Sequence, residues 1–521
     1  MRTDTSTTRT IMKKILLNPW TALITIVIMA MLRIADPSFV ESIRLRYFDT
    51  LITSKPVQDS SIVTVNIDDA ALKKYGQFPF PRDTYKDIVE TLYSKGAGLV
   101  VFNIFMPDED RFKKDKVLSE FMSAVPVVLP QTATNEPIDS NTVAFRPGVS
   151  VIGNEDQPFT VNYENIQANT KEINDVVAGA GVVNTFPELD GVVRRMPMVV
   201  SSGGKLYPSL SLDTLRVASG DPSFQVKISD LGVEAVRIPK FGKIATDPYS
   251  RIWIDWSHKP SNISITDLPE SFDGKIVIVG LTARGLNNPV ATARGEQFPH
   301  QVQAAVLDTL ASGTNIIRPD YADGAELLGF IVLAIGSIFL TKWRYGFVPI
   351  IAFIGGIPYA AGYAFTTYNT LLDATFIVSG FTLVYAHAYT VKFVDELTQK
   401  LAIKKQFAGY CSPKVVEMLQ ENPDLIKQGV RKDVSVMFSD LRGFTPIGEH
   451  FGDDVAGLGK YMNGYMDSIS KPIMDNQGMV IKYVGDASMH IHGAPIEDPN
   501  HARTIVAVGL QMLDAVDAYT K

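Results

Sequence analysis

Four stretches of this 521-residue chain are long, apolar and nearly free of charge, and they restrict its possible folds more than any other feature. A bilayer core takes about 20 apolar residues of helix. The first stretch, Ile15 to Ile34 ("ILLNPWTALITIVIMAMLRI"), has that length. No small-x-small cleavage site follows it, so it reads as a retained anchor rather than a removed leader. Three more runs crowd together at residues 327–341, 347–365 and 371–391. Arg2, Arg9, Lys13 and Lys14 precede the first run, and Lys342 and Arg344 separate the second from the third. Lys392, Lys400, Lys404 and Lys405 follow the last. Basic flanks stay on the cytoplasmic side, so the four runs agree on one topology. Residues 1–14 form a cytoplasmic tail, 15–34 a first transmembrane helix, 35–324 an extracytoplasmic domain, and 325–391 three more transmembrane helices. Everything after Lys392 returns to the cytoplasm. The 46% hydrophobic content fits that picture, and a net charge of −7 argues against a nucleic-acid partner. Cys411 is the only cysteine, which rules out an intrachain disulfide.

Residues 35–324 mix strand and helix patterns. "SIVTVNID" (61–68) is β-branched. "RDTYKDIVETLYSKG" (82–96) sets Tyr85, Ile88, Val89 and Leu92 on one helical face, and "GLVVFNIF" (98–105) is a second strand. That is a β-α-β unit, so the expectation is an α/β domain with a partly parallel sheet. "KIVIVG" (275–280) adds a buried strand, followed by a helix from Gln301 to Ser312. Asp190-Gly191 reads as a tight turn. Four segments, "VTVNIDDAALKKYGQFPFPR", "GAGLVVFNIF", "GVVNTFPELDGVVRRMP" and "GKIVIVGLTARGL", resemble the bacterial extracellular sensor called the type-two CHASE domain. Asn103 departs from that family's pattern, which often has an acidic residue there. The resemblance implies sensing of an extracytoplasmic ligand by a multi-pass protein of the cell (inner) membrane, with the sensor facing the periplasm. Asp68, Asp69 and Arg82 either line a ligand site or cap and salt-bridge the scaffold.

Residues 392–430 form the connector. Val394, Leu397 and Leu401 follow 3-4 spacing over barely two heptads, as in a short two-stranded coiled coil, before Lys404 breaks the seam. The alternative is a plain tether. Ser412 and Pro413 suit the N-cap and first position of another helix.

Residues 431–521 carry two apolar runs that each stop at an aspartate, "VSVMFSDLRGFT" and "IKYVGDASMHIHG". Val434 to Ser439 reads as a strand ended by Asp440, and Gly443 permits a tight turn. Thr445 and Pro446 suit an N-cap and first helical position, so free N–H groups near Phe444 and Thr445 open a helix beside the carboxylate. Val455, Leu458, Met462, Tyr465 and Ile469 give the next helix one apolar face, and Asn476-Gln477-Gly478 ends it. Val480 to Val484 and Ala487 to His492 then form a hairpin whose Gly485-Asp486 tip matches a type II′ turn. Two carboxylates at neighbouring strand ends, with a helix N-terminus and no nucleophile, suit divalent ions that hold a nucleotide. His490 and His492 share a strand face, as a metal pair would, although packing or exposure explains them better because no third ligand is near.

"FSDLRGFT" and "KYVGDASM…GAP" closely resemble the N-terminal half of the catalytic domain of class III nucleotide cyclases. The resemblance implies a ferredoxin-like β-α-β-β-α-β fold, C-terminally incomplete here, that converts ATP to cyclic AMP and pyrophosphate. It implies that Asp440 and Asp486, helped by the Leu441 carbonyl, bind two Mg²⁺ or Mn²⁺ ions, and that Gly443, Phe444 and Thr445 contact the triphosphate. Lys482 stands where adenylate cyclases usually carry lysine and guanylate cyclases glutamate; a lysine donates to adenine N1. Such sites form between two catalytic domains, so a homodimer is implied. The family's second base-selecting residue and its asparagine–arginine pair are expected beyond Lys521, which makes a fragment of a longer enzyme the preferred reading. The competing expectation is a non-catalytic receptor whose cyclase-like domain only dimerises or binds nucleotide. A cyclic-dinucleotide synthase would need a Gly-Gly-acidic hairpin, which "YVGDAS" lacks.

Overall fold

The computed structural model describes residues 16–138, 142–153, 160–407, 412, 414–415, 417 and 431–521. Cys411, Pro413 and the basic tail of residues 1–14 lie outside these, and of the helix expected after Pro413 only Lys414, Val415 and Glu417, all helical, lie within them. The chain divides into two compact units, one of residues 22–386 and the other chiefly of residues 387–521.

Six parallel strands dominate the first unit, and the central ones are apolar on both faces, as strands covered on both sides require. The sheet runs His258–Ser264, Gln58–Ile67, Ile276–Leu281, Leu99–Phe102, Val127–Thr134, then Asn165–Gln167, with Gly179–Val182 also paired to Val127–Thr134. Only Asn165–Gln167 is antiparallel to its neighbour. The helix at Arg82–Ser94 buries the four residues its spacing singles out, together with Leu118 and Met122 from Asp115–Met122, on one face of the sheet. The opposite face packs against Leu210–Ala218, Pro299–Ala311 and a β-rich layer that the sequence pattern did not reveal. In that layer, Gly148–Gly153, Ser223–Ser229, Gly232–Ile238 and Gly242–Ala245 form a separate four-stranded sheet. The expected strand at 98–105 is shorter, at Leu99–Phe102. After Asn103 donates to the Val279 carbonyl at 2.8 Å, the chain leaves the sheet.

The open alternatives for Asp68, Asp69 and Arg82 resolve toward the scaffold. Asp68 caps Asp69–Tyr75 by accepting from the Ala71 amide. Asp69 accepts from the Arg284 amide, and Arg82 pairs with Asp115 at 3.0 Å. Asp190 does more than turn the chain: the wholly buried Arg194 guanidinium donates through Nη1 and Nη2 to its carboxylate and through Nε and Nη2 to that of Asp49. The two pairings tie Ser38–Thr53 to the Asp190 turn.

Among the described residues three helices are long and apolar enough to cross a membrane: Ala322–Leu340, Phe347–Tyr368 and the stretch Ala374–Ala402. The first apolar run differs from expectation. Pro19–Ala22 is a 3-10 turn, Leu23–Ala35 is the helix proper, and the chain then bends by 79° into Ser38–Thr53. Pro37 disfavours a helical Asp36, which breaks the run there. Ser38–Thr53 buries Leu45, Phe48, Leu51 and Ile52 in the domain core. Among the described residues the count reaches four if the bent pair is taken as one span. The last apolar run and the start of the connector form one continuous helix, Ala374–Phe407.

In the second unit, Ser435–Ser439, Ala487–His492 and Met479–Val484 form an antiparallel sheet in that order. Val455–Asp475 and His501–Thr520 cover one face through Tyr465, Ile469, Ile473, Val508 and Met512.

Candidate functional site

The two aspartate motifs meet at one end of the small sheet. Ser439 pairs with Ser488 at the last step of the ladder, so Asp440 leaves one strand where its neighbour comes out of the hairpin turn. That turn is two residues long, between paired Val484 and Ala487, and Gly485 holds φ +65°, which glycine adopts without penalty. Asp486 is therefore carried at the tip beside the Asp440 strand end. The hydroxyls of Ser439 and Ser488 lie 2.6 Å apart and join the two strands directly beneath the carboxylates. Sequence reasoning missed this pair; its signal was a serine at or near each aspartate.

Tyr465 senses both carboxylates. Burial raises its hydroxyl pKa first, and the negative charges of Asp486 and Asp440 raise it further. Both acids thus lie close enough to Tyr465, on Val455–Asp475, for their charge to reach its hydroxyl. Asp440 is exposed and Asp486 half-buried. Among the described residues no three His, Cys, Asp or Glu side chains converge on a point. A divalent ion would therefore complete its shell with backbone carbonyl, water and substrate oxygens, the habit of Mg²⁺. In that sense the donor set fits.

The following helix starts earlier than Thr445 as cap would imply. Gly443, at φ +75° and ψ +25°, takes the cap position of Phe444–Phe451, and Pro446 becomes its third residue. Phe444 and Thr445 thereby occupy the first two positions, whose N–H groups have no intrahelical acceptor. Leu441 packs its side chain against the unit's core.

Lys482 lies on the edge strand at a register shift between Val480 and Lys482. The shift lets Val480 and Tyr483 both face the helices, Tyr483 reaching the Ser470 hydroxyl, and leaves Lys482 exposed with Val484. The sheet face away from the helices is bare: Val436, Phe438 and Val484 are 46%, 71% and 57% exposed. His490 and His492 point the other way, into the packed side. Both are buried, their rings are 6.0 Å apart, and neither nitrogen of His490 has a hydrogen-bond partner among the described residues. Burial holds the His490 pKa down at about 4. They are core residues.

Residues 22–339 match the CHASE2 domain, and residues 426–521 match the adenylate and guanylate cyclase catalytic domain. A sensor and a cyclase-type catalytic domain are thus joined in one chain, together with the three apolar helices. Catalytic domains of this kind generally use divalent metal ions.

Proposed function

Because the chain belongs to the CHASE2 domain family and carries a nucleotide cyclase catalytic domain, we propose that it is a membrane-anchored adenylate cyclase controlled from outside the cell. The supporting observation is the meeting of Asp440, Asp486 and the first turn of Phe444–Phe451 at one sheet end. Asp440 and Asp486 would hold Mg²⁺ or Mn²⁺, with the Leu441 carbonyl assisting. Bound there, such ions would lower the pKa of the attacking ribose hydroxyl and neutralise the leaving pyrophosphate. The chain's own groups do the rest. Gly443 lets the backbone turn tightly, so the Phe444 and Thr445 amides can donate to phosphate oxygens. Lys482 donates to adenine N1, which guanine cannot accept because it carries a proton there.

A second copy is the natural cover for the bare sheet face, since Phe438 and Val484 would otherwise stay in water. One copy would supply the carboxylates and the other Lys482. The helix Ala374–Phe407 presents Val394, Leu397 and Leu401 as exposed apolar residues, the seam of a paired helix. Pairing there would bring two catalytic domains together under control of the sensor.

Cyclic AMP formation by membranes carrying the natural full-length protein tests the reading. Asp440→Ala should lower the rate by at least about a hundredfold, the scale of losing one charge-stabilising group at a reacting centre. Lys482→Glu should shift preference from ATP toward GTP. Unchanged activity in Asp440→Ala would reject the carboxylate role and favour a receptor that only binds nucleotide. Unchanged selectivity in Lys482→Glu would reject the base assignment.

A further inference from the structure

In the first unit, a cavity of about 540 Å³ opens at the carboxyl ends of strands Leu99–Phe102 and Val127–Thr134. Parallel α/β sheets bind ligands outside the carboxyl ends of their strands, and the volume suits a small molecule. The lining is strongly acidic, with Asp108, Glu109, Asp115, Glu172 and Asp175 against a single lysine, Lys171.

The walls are braced. Arg82 pairs with Asp115 at 3.0 Å and donates to the Asp108 carbonyl at 2.7 Å, while the Asp110 amide donates to Asp115. Asn169 accepts from the Met106 amide and donates to the Pro130 carbonyl, each at 2.9 Å, and the Thr170 amide donates to the Met106 carbonyl. Asp115 is thus neutralised by Arg82, and Lys171 by Asp175. Asp108, Glu109 and Glu172 are exposed at the rim, and no ion pair forms to any of them among the described residues. Inside, Thr170 is only 9% exposed, and its hydroxyl has no hydrogen-bond partner among the described residues. A buried hydroxyl left unpaired costs free energy unless something supplies its partner.

We propose that this cavity is the sensor's ligand site and that it takes an aliphatic di- or polyamine. The assignment rests on reading residues 22–339 as a ligand sensor. The carboxylates ring a volume, and among the described residues they do not converge in threes, so a compact metal ion is poorly matched. Ammonium groups spaced along a methylene chain meet separated carboxylates one by one. An N–H of the same chain satisfies Thr170.

Spermidine and putrescine binding to the purified full-length protein in nanodiscs, measured by calorimetry at fixed ionic strength, tests the assignment. Saturable spermidine binding should weaken at least about tenfold in Glu109→Gln/Glu172→Gln. Neutralising two exposed acids elsewhere, Asp230→Asn/Glu296→Gln, should leave it intact. No saturable binding, or equal loss in both double variants, overturns the proposal, and so does Ca²⁺ binding that the first variant abolishes while spermidine binding persists. Both substituted pairs are exposed, so an unchanged thermal midpoint certifies the fold. The readout is independent of cyclase turnover. Spermidine binding to a protein that makes no cyclic AMP would therefore sink the cyclase reading alone, and turnover without binding would sink this one alone.

Discussion

Arg33 offers the sharpest test of how the first unit is held together. It stands in the last turn of Leu23–Ala35 and is 5% exposed. Its Nη2 donates to Asp323 and Glu326, each at 2.6 Å, and its Nη1 lies 3.4 Å from Asp373. The guanidinium also rests over the Phe376 ring. One side chain thereby joins its own helix to the starts of Ala322–Leu340 and Ala374–Phe407. Arg33→Ala would strand acids that cannot reach water, since Glu326 is 4% and Asp373 1% exposed. Removing one partner of a buried pair costs about 3–5 kcal/mol. The survivors are not helpless: Glu326 keeps Arg318 at 3.0 and 3.1 Å, and Asp373 keeps the Thr375 amide and hydroxyl. The loss should therefore fall near the lower end, about 3 kcal/mol, or roughly 6 °C in the thermal midpoint of a large domain. The assay is thermal unfolding of the purified protein in nanodiscs. Asp373→Asn added to Arg33→Ala should recover part of the loss, because the amide carries no unpaired charge. A single variant melting within about 1 °C of the parent, against the scale above, would refute the reasoning. So would a double variant no better than the single, because the penalty would then not be electrostatic.

Other outcomes follow from the second unit. His490 is buried neutral with its pKa lowered to about 4 by burial and by His492, whereas an unfolded chain takes up its proton near pH 6.5. Stability is then complete above about pH 6.5 and declines toward pH 4 by up to about 1.4 kcal/mol per pH unit. Hydrogen exchange in Ala487–His492, corrected for intrinsic rates, should show that decline in the parent and a flatter one in His490→Leu. Gly478→Ala would drive a Cβ to 2.5 Å from the His492 ring and 2.8 Å from Ile473, so it should cost about 1–3 kcal/mol in thermal or chemical denaturation. Leu397→Asp puts a charge into the exposed apolar seam and should reduce cross-linked dimer in membranes without lowering the thermal midpoint; an unchanged dimer fraction would remove the seam from the assembly.

What could be read from the sequence, and what could not, divides by distance along the chain. The aspartate strand end, the Gly485-Asp486 turn and the apolar faces of Arg82–Ser94 and Val455–Asp475 arise from residues a few positions apart, where period and turn chemistry act directly. The helix start at Phe444 was misread by two residues because Thr445-Pro446 is as good a local signal as Gly443, and only the observed left-handed backbone at Gly443 decides between them. What the first apolar run packs against was hidden for a different reason. Its hydropathy is that of a span, yet Arg33 within it is satisfied by Glu326, 293 positions away, and Asp373, 340 positions away. No window along the chain can show that a charge has such partners. The same holds for the acidic cavity, whose rim comes from a loop after Leu99–Phe102 and from Lys171–Asn174, brought together by Asn169 bridging Met106 and Pro130. A chain can announce the chemistry of a strand end locally; the pairing that makes a buried charge tolerable, or a cavity acidic, exists only once distant segments have packed. The sites that distant packing creates are thus the ones most in need of direct measurement, and Arg33 and Glu109/Glu172 are where such measurements bear hardest on the structure.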